Sequence, residues 1–130
     1  MRKRSRRGLK ILIVEDNRDQ REMYAAYFAA KHFTVLTAID GREAIQMAHT
    51  DAPDIIVTDL SMPHLDGWEA TRRLKDDPLT AGIPVIACSA RVLEGAAERA
   101  LVAGCDAYLS KPCLPRDLHG EVLRVLKKAA

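Results

Sequence analysis

The chain has 130 residues, 48% of them apolar and 29% charged, which suits one domain with a real core and excludes disordered, collagenous and coiled-coil classes. No apolar run approaches the roughly 20 residues of a membrane-spanning helix. The cysteines at 88, 105 and 113 make neither an even disulfide framework nor a C-x-x-C pair, so a reduced, cytoplasmic protein is expected.

Short apolar runs alternate with helix-period segments from Lys10 onward. Ile11-Leu12-Ile13-Val14 predicts a strand buried on both faces. Asp16 or Asn17 caps the helix that follows, with Met23, Tyr24, Tyr27 and Phe28 on one stripe. A β-branched run over 33–38 predicts a second strand. Asp40 and Glu43 stand at capping-box spacing before the next helix, which Ala52-Pro53 ends. A third strand is expected over 54–58. Asp66-Gly67-Trp68-Glu69-Ala70 then repeats the earlier helix start, read as one capping solution used twice. A fourth strand over 84–88, a helix over 92–103 closed by Gly104, a fifth strand over 107–110 and a last helix opened by Pro115 complete the chain.

Five strands, each followed by a helix, predict an α/β fold: a (βα)5 doubly wound parallel sheet with right-handed crossovers. An eight-fold barrel would need about twice the length. The open flavodoxin-like order 2-1-3-4-5 remains.

All strand C-termini of such a sheet lie along one edge, where ligands bind. The first strand ends in Glu15-Asp16, the third in Asp59, the fourth in Ser89 and the fifth in Lys111. Three carboxylates this close repel one another and call for a cation. Lys111 supplies one positive charge and a divalent ion can supply the rest. An all-oxygen ligand set selects a hard ion, Mg²⁺ first and Mn²⁺ second. Such a site is prepared for phosphoryl chemistry, which is mostly positioning and charge neutralisation. No P-loop or G-x-G-x-x-G is present to hold a nucleotide.

Glu15-Asp16, Thr58-Asp59-Leu60-Ser61-Met62-Pro63, Asp66-Gly67, Ser89-Ala90 and Tyr108-Leu109-Ser110-Lys111-Pro112 resemble, in order and spacing, the signature of CheY-like response-regulator receiver domains. The resemblance spans about residues 9 to 128, with 1–8 as a basic flexible tail and no output domain. It implies a single-domain regulator of a two-component or phosphorelay system. Asp59 would take the phosphoryl group from a phosphohistidine on a sensor histidine kinase or histidine phosphotransfer protein. Asp16, Asp59 and the backbone carbonyl of Ser61 would bind Mg²⁺, with Glu15 acting through a metal-bound water. Lys111 would pair with Asp59 and then with a phosphoryl oxygen, and its bond to Pro112 would be cis. Ser89 would hold another phosphoryl oxygen, and Tyr108 would follow it. The face made by the 92–103 helix, the fifth strand and the last helix would then change for a downstream protein target. Ser61 and Arg91 would set the lifetime of the phosphorylated state.

Three other readings stay open beside this one. An aspartyl-phosphate phosphatase would want a second Asp two residues after the nucleophile, where this chain has Ser61. A receiver-like interaction module, no longer phosphorylated, would be expected to have lost an acidic residue or the lysine. Tyr108 could be simply an edge aromatic. Cys88 is expected in the core, Cys105 in a tight turn, and Cys113 where receivers carry a bulkier apolar residue. His32, His49, His64 and His119 fall on different elements and suggest neither a phosphotransfer histidine nor a zinc site.

The net charge of +2 is uneven. Arg2, Lys3, Arg4, Arg6 and Arg7 take five of the 20 basic residues, leaving 15 against 18 acidic ones, a net of −3, in the body. The tail is expected to be a solvated leader. The second reading is attraction to nucleic acid, an anionic membrane or an acidic protein. The absence of an aromatic residue weighs against nucleic acid. A twin-arginine export signal fails because Glu15-Asp16 interrupts the apolar stretch. A monomer or weak dimer is expected.

Overall fold

A computed structural model of the chain describes residues 8–60, 67–89 and 104–129. Strands β1 (Lys10–Val14), β2 (Thr34–Ala38), β3 (Ile55–Asp59), β4 (Val85–Ser89) and β5 (Ala107–Ser110) form one parallel sheet in the order β2-β1-β3-β4-β5. Helices α1 (Arg18–Ala30), α2 (Gly41–Asp51), α3 (Gly67–Asp76) and a C-terminal helix (Pro115–Ala129) cover it. The predicted helix over 92–103, the tail residues 1–7, Ser61, Asp66 and Arg91 lie outside the described residues.

The period-2 geometry of a strand sends alternate side chains to opposite faces, and β1 uses both for core. Ile11 and Ile13 pack with Tyr24 and Phe28 of α1 and with Leu118 and Val122 of the C-terminal helix. Leu12 and Val14 pack with Ala44 and Ala48 of α2 and Leu74 of α3. A strand apolar at every position from Ile11 to Val14 therefore requires a helical layer on each side. Truncating one of these fully buried residues, such as Ile13 or Ile56, to Ala would cost about 2–5 kcal/mol.

Several boundaries differ from expectation. β2 begins at Thr34, because Phe33 instead closes the connection from α1. The Phe33 N–H donates to the Phe28 carbonyl at 3.1 Å, and its ring meets the Phe28 ring edge-on at 5.3 Å. β3 and β4 each begin and end one residue later than predicted, so Asp59 and Ser89 are strand residues paired in the ladder, Asp59 with Cys88 and Ser89 with Ser110. On α1 only Tyr24 and Phe28 are buried, while Met23 is 45% exposed.

The caps set where the helices begin. Asn17, not Asp16, caps α1, its Oδ1 accepting from the Gln20 N–H at 2.9 Å. Asp40 Oδ1 accepts from the Glu43 N–H at 2.9 Å, and Glu43 Oε1 accepts in return from Ile39 N–H at 3.2 Å. The reciprocal bond thus lands one residue before the cap. Gly104 has φ +100°, and a Cβ there would lie 2.8 Å from Lys75 Cγ, so glycine serves both the left-handed backbone and the close approach.

Candidate functional site

The sheet ladder runs past the strand ends and fixes the loops that carry the polar groups. Glu15 N–H donates to the Ala38 carbonyl, Leu60 N–H to Cys88 and Lys111 N–H to Ser89, at 3.0, 3.0 and 2.9 Å. Arg21, one turn into α1, donates to the carbonyls of Glu15 at 2.9 Å and Asp16 at 3.4 Å. Once these backbones are held, the side chains converge.

Carboxylate oxygens of Glu15, Asp16 and Asp59 all lie within 4.8 Å of one another. Glu15 and Asp59 are buried and Asp16 is exposed. Lys111 Nζ reaches into the group, donating to Glu15 Oε1, to Asp59 Oδ2 at 3.0 Å and to Gln20 Oε1 at 2.7 Å. The other oxygen of Glu15 accepts from the Asn17 N–H at 3.2 Å. Burial pushes the Glu15 carboxyl above its ordinary value, against the pull of Lys111. Burial works against the Lys111 charge, but its bonds to Glu15 and Asp59 prevail and hold its pKa above the usual value.

Among the described residues, three carboxylates against one ammonium leave two negative charges in a largely desolvated pocket. The donor set is all oxygen and includes an exposed member through which an ion can enter. These residues fit a hard divalent cation of Mg²⁺ type. Ser89 is 2% exposed at the end of β4. Tyr108 sits in β5, partly buried against the α2–α3 side of the core. The Lys111–Pro112 peptide bond is cis.

Glu15, Asp16, Asp59 and Lys111 thus form one cluster, with Ser89 on the strand beside Asp59 and paired to the strand before Lys111. Gln20 and Arg21 were not singled out from the sequence, and Tyr24 was read only as part of the apolar stripe of α1. The Tyr24 hydroxyl donates to the Cys113 carbonyl at 2.8 Å. A cleft of about 430 Å³ opens beside Lys111, walled by Gln20, Met23 and Tyr24 of α1 and by Pro112, Cys113 and Leu114. Only Gln20 carried a readable signal, three residues after Asn17 at capping-box spacing. That spacing points its side chain back to the cap, whereas it turns to Lys111.

Residues 11–123 match the family model of the response regulator receiver domain. The chain belongs to that family. It is 37% identical over 102 residues to the polar-differentiation response regulator DivK of Brucella anthropi, covering 78% of this chain and 83% of that one. It is 41% identical over 105 residues to the response regulator PleD of Caulobacter vibrioides, covering 79% of this chain but 23% of that protein. Among solved structures, the receiver domain of sensor histidine kinase PA1611 from Pseudomonas aeruginosa PAO1, with magnesium ion coordinated in its active-site cleft, superposes with a TM-score of 0.84. That pair shares 32% identity and covers 92% and 98% of the two chains. The chemotaxis response regulator CheY4 of Vibrio cholerae gives a TM-score of 0.84 at 26% identity over 91% and 98%. Among the described residues, no helix is long and apolar enough to cross a membrane.

Proposed function

We propose that this receiver domain takes a phosphoryl group onto Asp59 from a phosphohistidine of a sensor histidine kinase or histidine phosphotransfer protein. The observation that carries the reading is the convergence of the Glu15, Asp16 and Asp59 carboxylates, with the Lys111 ammonium paired to Glu15 and Asp59. An Asp59 carboxylate oxygen bonds to phosphorus as the phosphorus–nitrogen bond of the donor breaks. The electron pair leaves on the histidine ring, which departs as neutral imidazole when its other nitrogen carries a proton.

Bound Mg²⁺ would supply charge neutralisation for the phosphoryl oxygens, a role Mn²⁺ could share. Asp16 and Asp59 would hold the ion directly, with the Ser61 carbonyl as third protein ligand. Glu15, already engaged by Lys111 and the Asn17 N–H, would act through a water. Lys111 would hold one phosphoryl oxygen and Ser89 another. Tyr108 would respond to Ser89, so that the face around β5 changes its affinity for a downstream protein. Ser61 and Arg91 would control access of hydrolytic water. The only catalysis is then of the domain's own phosphorylation and dephosphorylation. We further infer a receiver unit over 9–128 that works in the cytoplasm as a monomer or weak dimer.

The test is incubation with acetyl phosphate and Mg²⁺, read by intact mass. One phosphoryl group should be added to the parent and none to Asp59→Asn. Equal labelling of the variant would sink the assignment.

A further inference from the structure

Leu9 fixes where the chain enters the sheet and what surrounds that point. Its carbonyl accepts from the Thr34 N–H at 2.8 Å, which places the turn that ends α1 beside it. Its side chain packs on the same core cluster as Leu123 and Leu126 of the C-terminal helix. The entry point therefore lies between the last turns of these two helices. Those turns are basic: Lys31 caps α1, and Lys127 and Lys128 stand in the last turn of the C-terminal helix. All three lysines are exposed, and neither residues 23–31 nor residues 122–129 include an acidic residue. Residues 1–7 lead to the same point with five cations, four of them arginine, and no acid. The acids of this sheet edge sit under the other layer, with Asp51 ending α2, Asp76 ending α3, and Asp54 and Asp77 just beyond them. Helix dipoles account for lysines in the last turns but not for five further cations brought to the same point.

We propose that this basic pole is a docking surface for duplex DNA, held through its phosphates without sequence preference. A row of phosphates is the partner that many cations in one place match, and arginine forks meet phosphate oxygens two at a time. The missing aromatic residue counts against single strands, whose bases need a stacking platform, and not against a duplex. Arginine-rich segments suit the narrow minor groove of B-form DNA, which the wide, shallow minor groove of A-form RNA does not offer. Lys31, Lys127 and Lys128 then meet the backbone on either side. A membrane would be held more firmly by an apolar anchor beside the charges. Met23, Ile39, Leu79 and Leu114, the exposed large apolar residues among those described, all stand outside these last turns. The acidic cluster of Glu15, Asp16 and Asp59 lies at the other end of the strands. It turns the polyanion away from the site and leaves Asp59 open to a phosphodonor while DNA is held.

The test uses the full chain and a fluorescent mixed-sequence DNA duplex of two helical turns, followed by anisotropy. With about four phosphates neutralised, affinity should fall about 100-fold or more between about 50 and 200 mM salt. Deleting residues 2–7 should abolish saturable binding at the lower salt. Lys127→Gln/Lys128→Gln should weaken binding and reduce the slope of log affinity against log salt by about one or more. Arg72→Gln/Arg73→Gln removes the same charge from exposed positions of α3 and should leave the slope unchanged. Should the lysine pair not fold when replaced, Lys31→Gln reads the same pole. An RNA duplex of the same sequence should bind more weakly than the DNA. Vesicles of phosphatidylcholine and phosphatidylglycerol should need more exposed lipid phosphate for half-saturation than the duplex needs of its own. The proposal is overturned by a parent that does not bind the duplex at the lower salt, or by a slope that the lysine replacements leave unchanged. It is overturned equally by the same loss in the lysine and arginine pairs, or by binding to RNA or vesicles as tight as to DNA.

Discussion

Tyr24 donates its hydroxyl to the carbonyl of Cys113, 89 positions along the chain, at 2.8 Å. Cys113 follows the cis Lys111–Pro112 bond, so this contact ties α1 to the loop that presents the Lys111 ammonium to the acidic cluster. Burial pushes the Tyr24 phenol up to about 12, which keeps it a neutral donor at any physiological pH. Tyr24→Phe should therefore cost about 1 kcal/mol in urea unfolding, the worth of one neutral hydrogen bond. It should also slow Asp59 phosphorylation by loosening Lys111. No change in either quantity would show the tie to be idle.

The acidic cluster should make the metal-free fold tense at its functional edge. Mg²⁺ would bind the folded cluster and not the unfolded chain. For a dissociation constant of about 1 mM, 10 mM Mg²⁺ adds roughly 1.4 kcal/mol, or about 5 °C in melting temperature for a domain of this size. Asp59→Asn removes one of three mutually repelling charges, so it should melt above the parent in EDTA and gain less from Mg²⁺. Lys111→Ala removes the cation between Glu15 and Asp59 and should lose about 3 kcal/mol in EDTA. Thermal melts of the three proteins with and without Mg²⁺ decide the matter. Ca²⁺ should stabilise the parent too, while supporting phosphorylation less well.

His49 on α2 bridges to Asp77 after α3, its Nε2 lying 2.7 Å from Asp77 Oδ2 while Nδ1 meets the Ile45 carbonyl at 2.9 Å. The Ile45 carbonyl first and Asp77 second raise the imidazole above its ordinary 6.5. The Leu79 N–H first and His49 second hold Asp77 below its ordinary 3.8. A raised histidine contributes stability that is complete below 6.5 and lost as pH rises through the raised value. Asp77, being lowered, contributes above 3.8 and loses its share as pH falls through the lowered value. The bridge therefore works best in mild acid. His49→Gln should melt below the parent near about pH 5.5 and converge with it by about pH 9; a pH-independent gap would contradict this.

Ser89 is buried at the end of β4, paired to Ser110 across the ladder. Ser89→Ala should still accept a phosphoryl group, because Asp59 and Lys111 are untouched. It should respond weakly around Tyr108. Amide shifts of β5 on phosphorylation as large as the parent's would break the proposed coupling between Ser89 and Tyr108.

The sheet and most of the site were legible because they rest on local pattern. Ile11 to Val14 is apolar at every position, so two faces had to be covered, and the polar residues ending Glu15, Asp59, Ser89 and Lys111 had to share one edge. Boundaries were less legible where tertiary contacts decide them. Phe33 is β-prone, yet its ring belongs to Phe28 and its N–H to the end of α1. Met23 falls on the apolar stripe of α1 but faces the cleft instead of the sheet. The one local signal at Gln20, its capping-box spacing after Asn17, points to the cap, while its partner Lys111 is 91 positions away and no local rule connects them.

Chemical trapping of the modified residue tests the central claim most directly. Borohydride reduces an acyl phosphate on aspartate to homoserine, so the parent, treated with acetyl phosphate and Mg²⁺ and then reduced, can be digested and sequenced by mass spectrometry. Homoserine should replace aspartate at position 59 and at no other position, and its appearance should need Mg²⁺. Homoserine at Asp16 or elsewhere, or none at position 59 while intact mass shows a phosphoryl group, would contradict Asp59 as the acceptor.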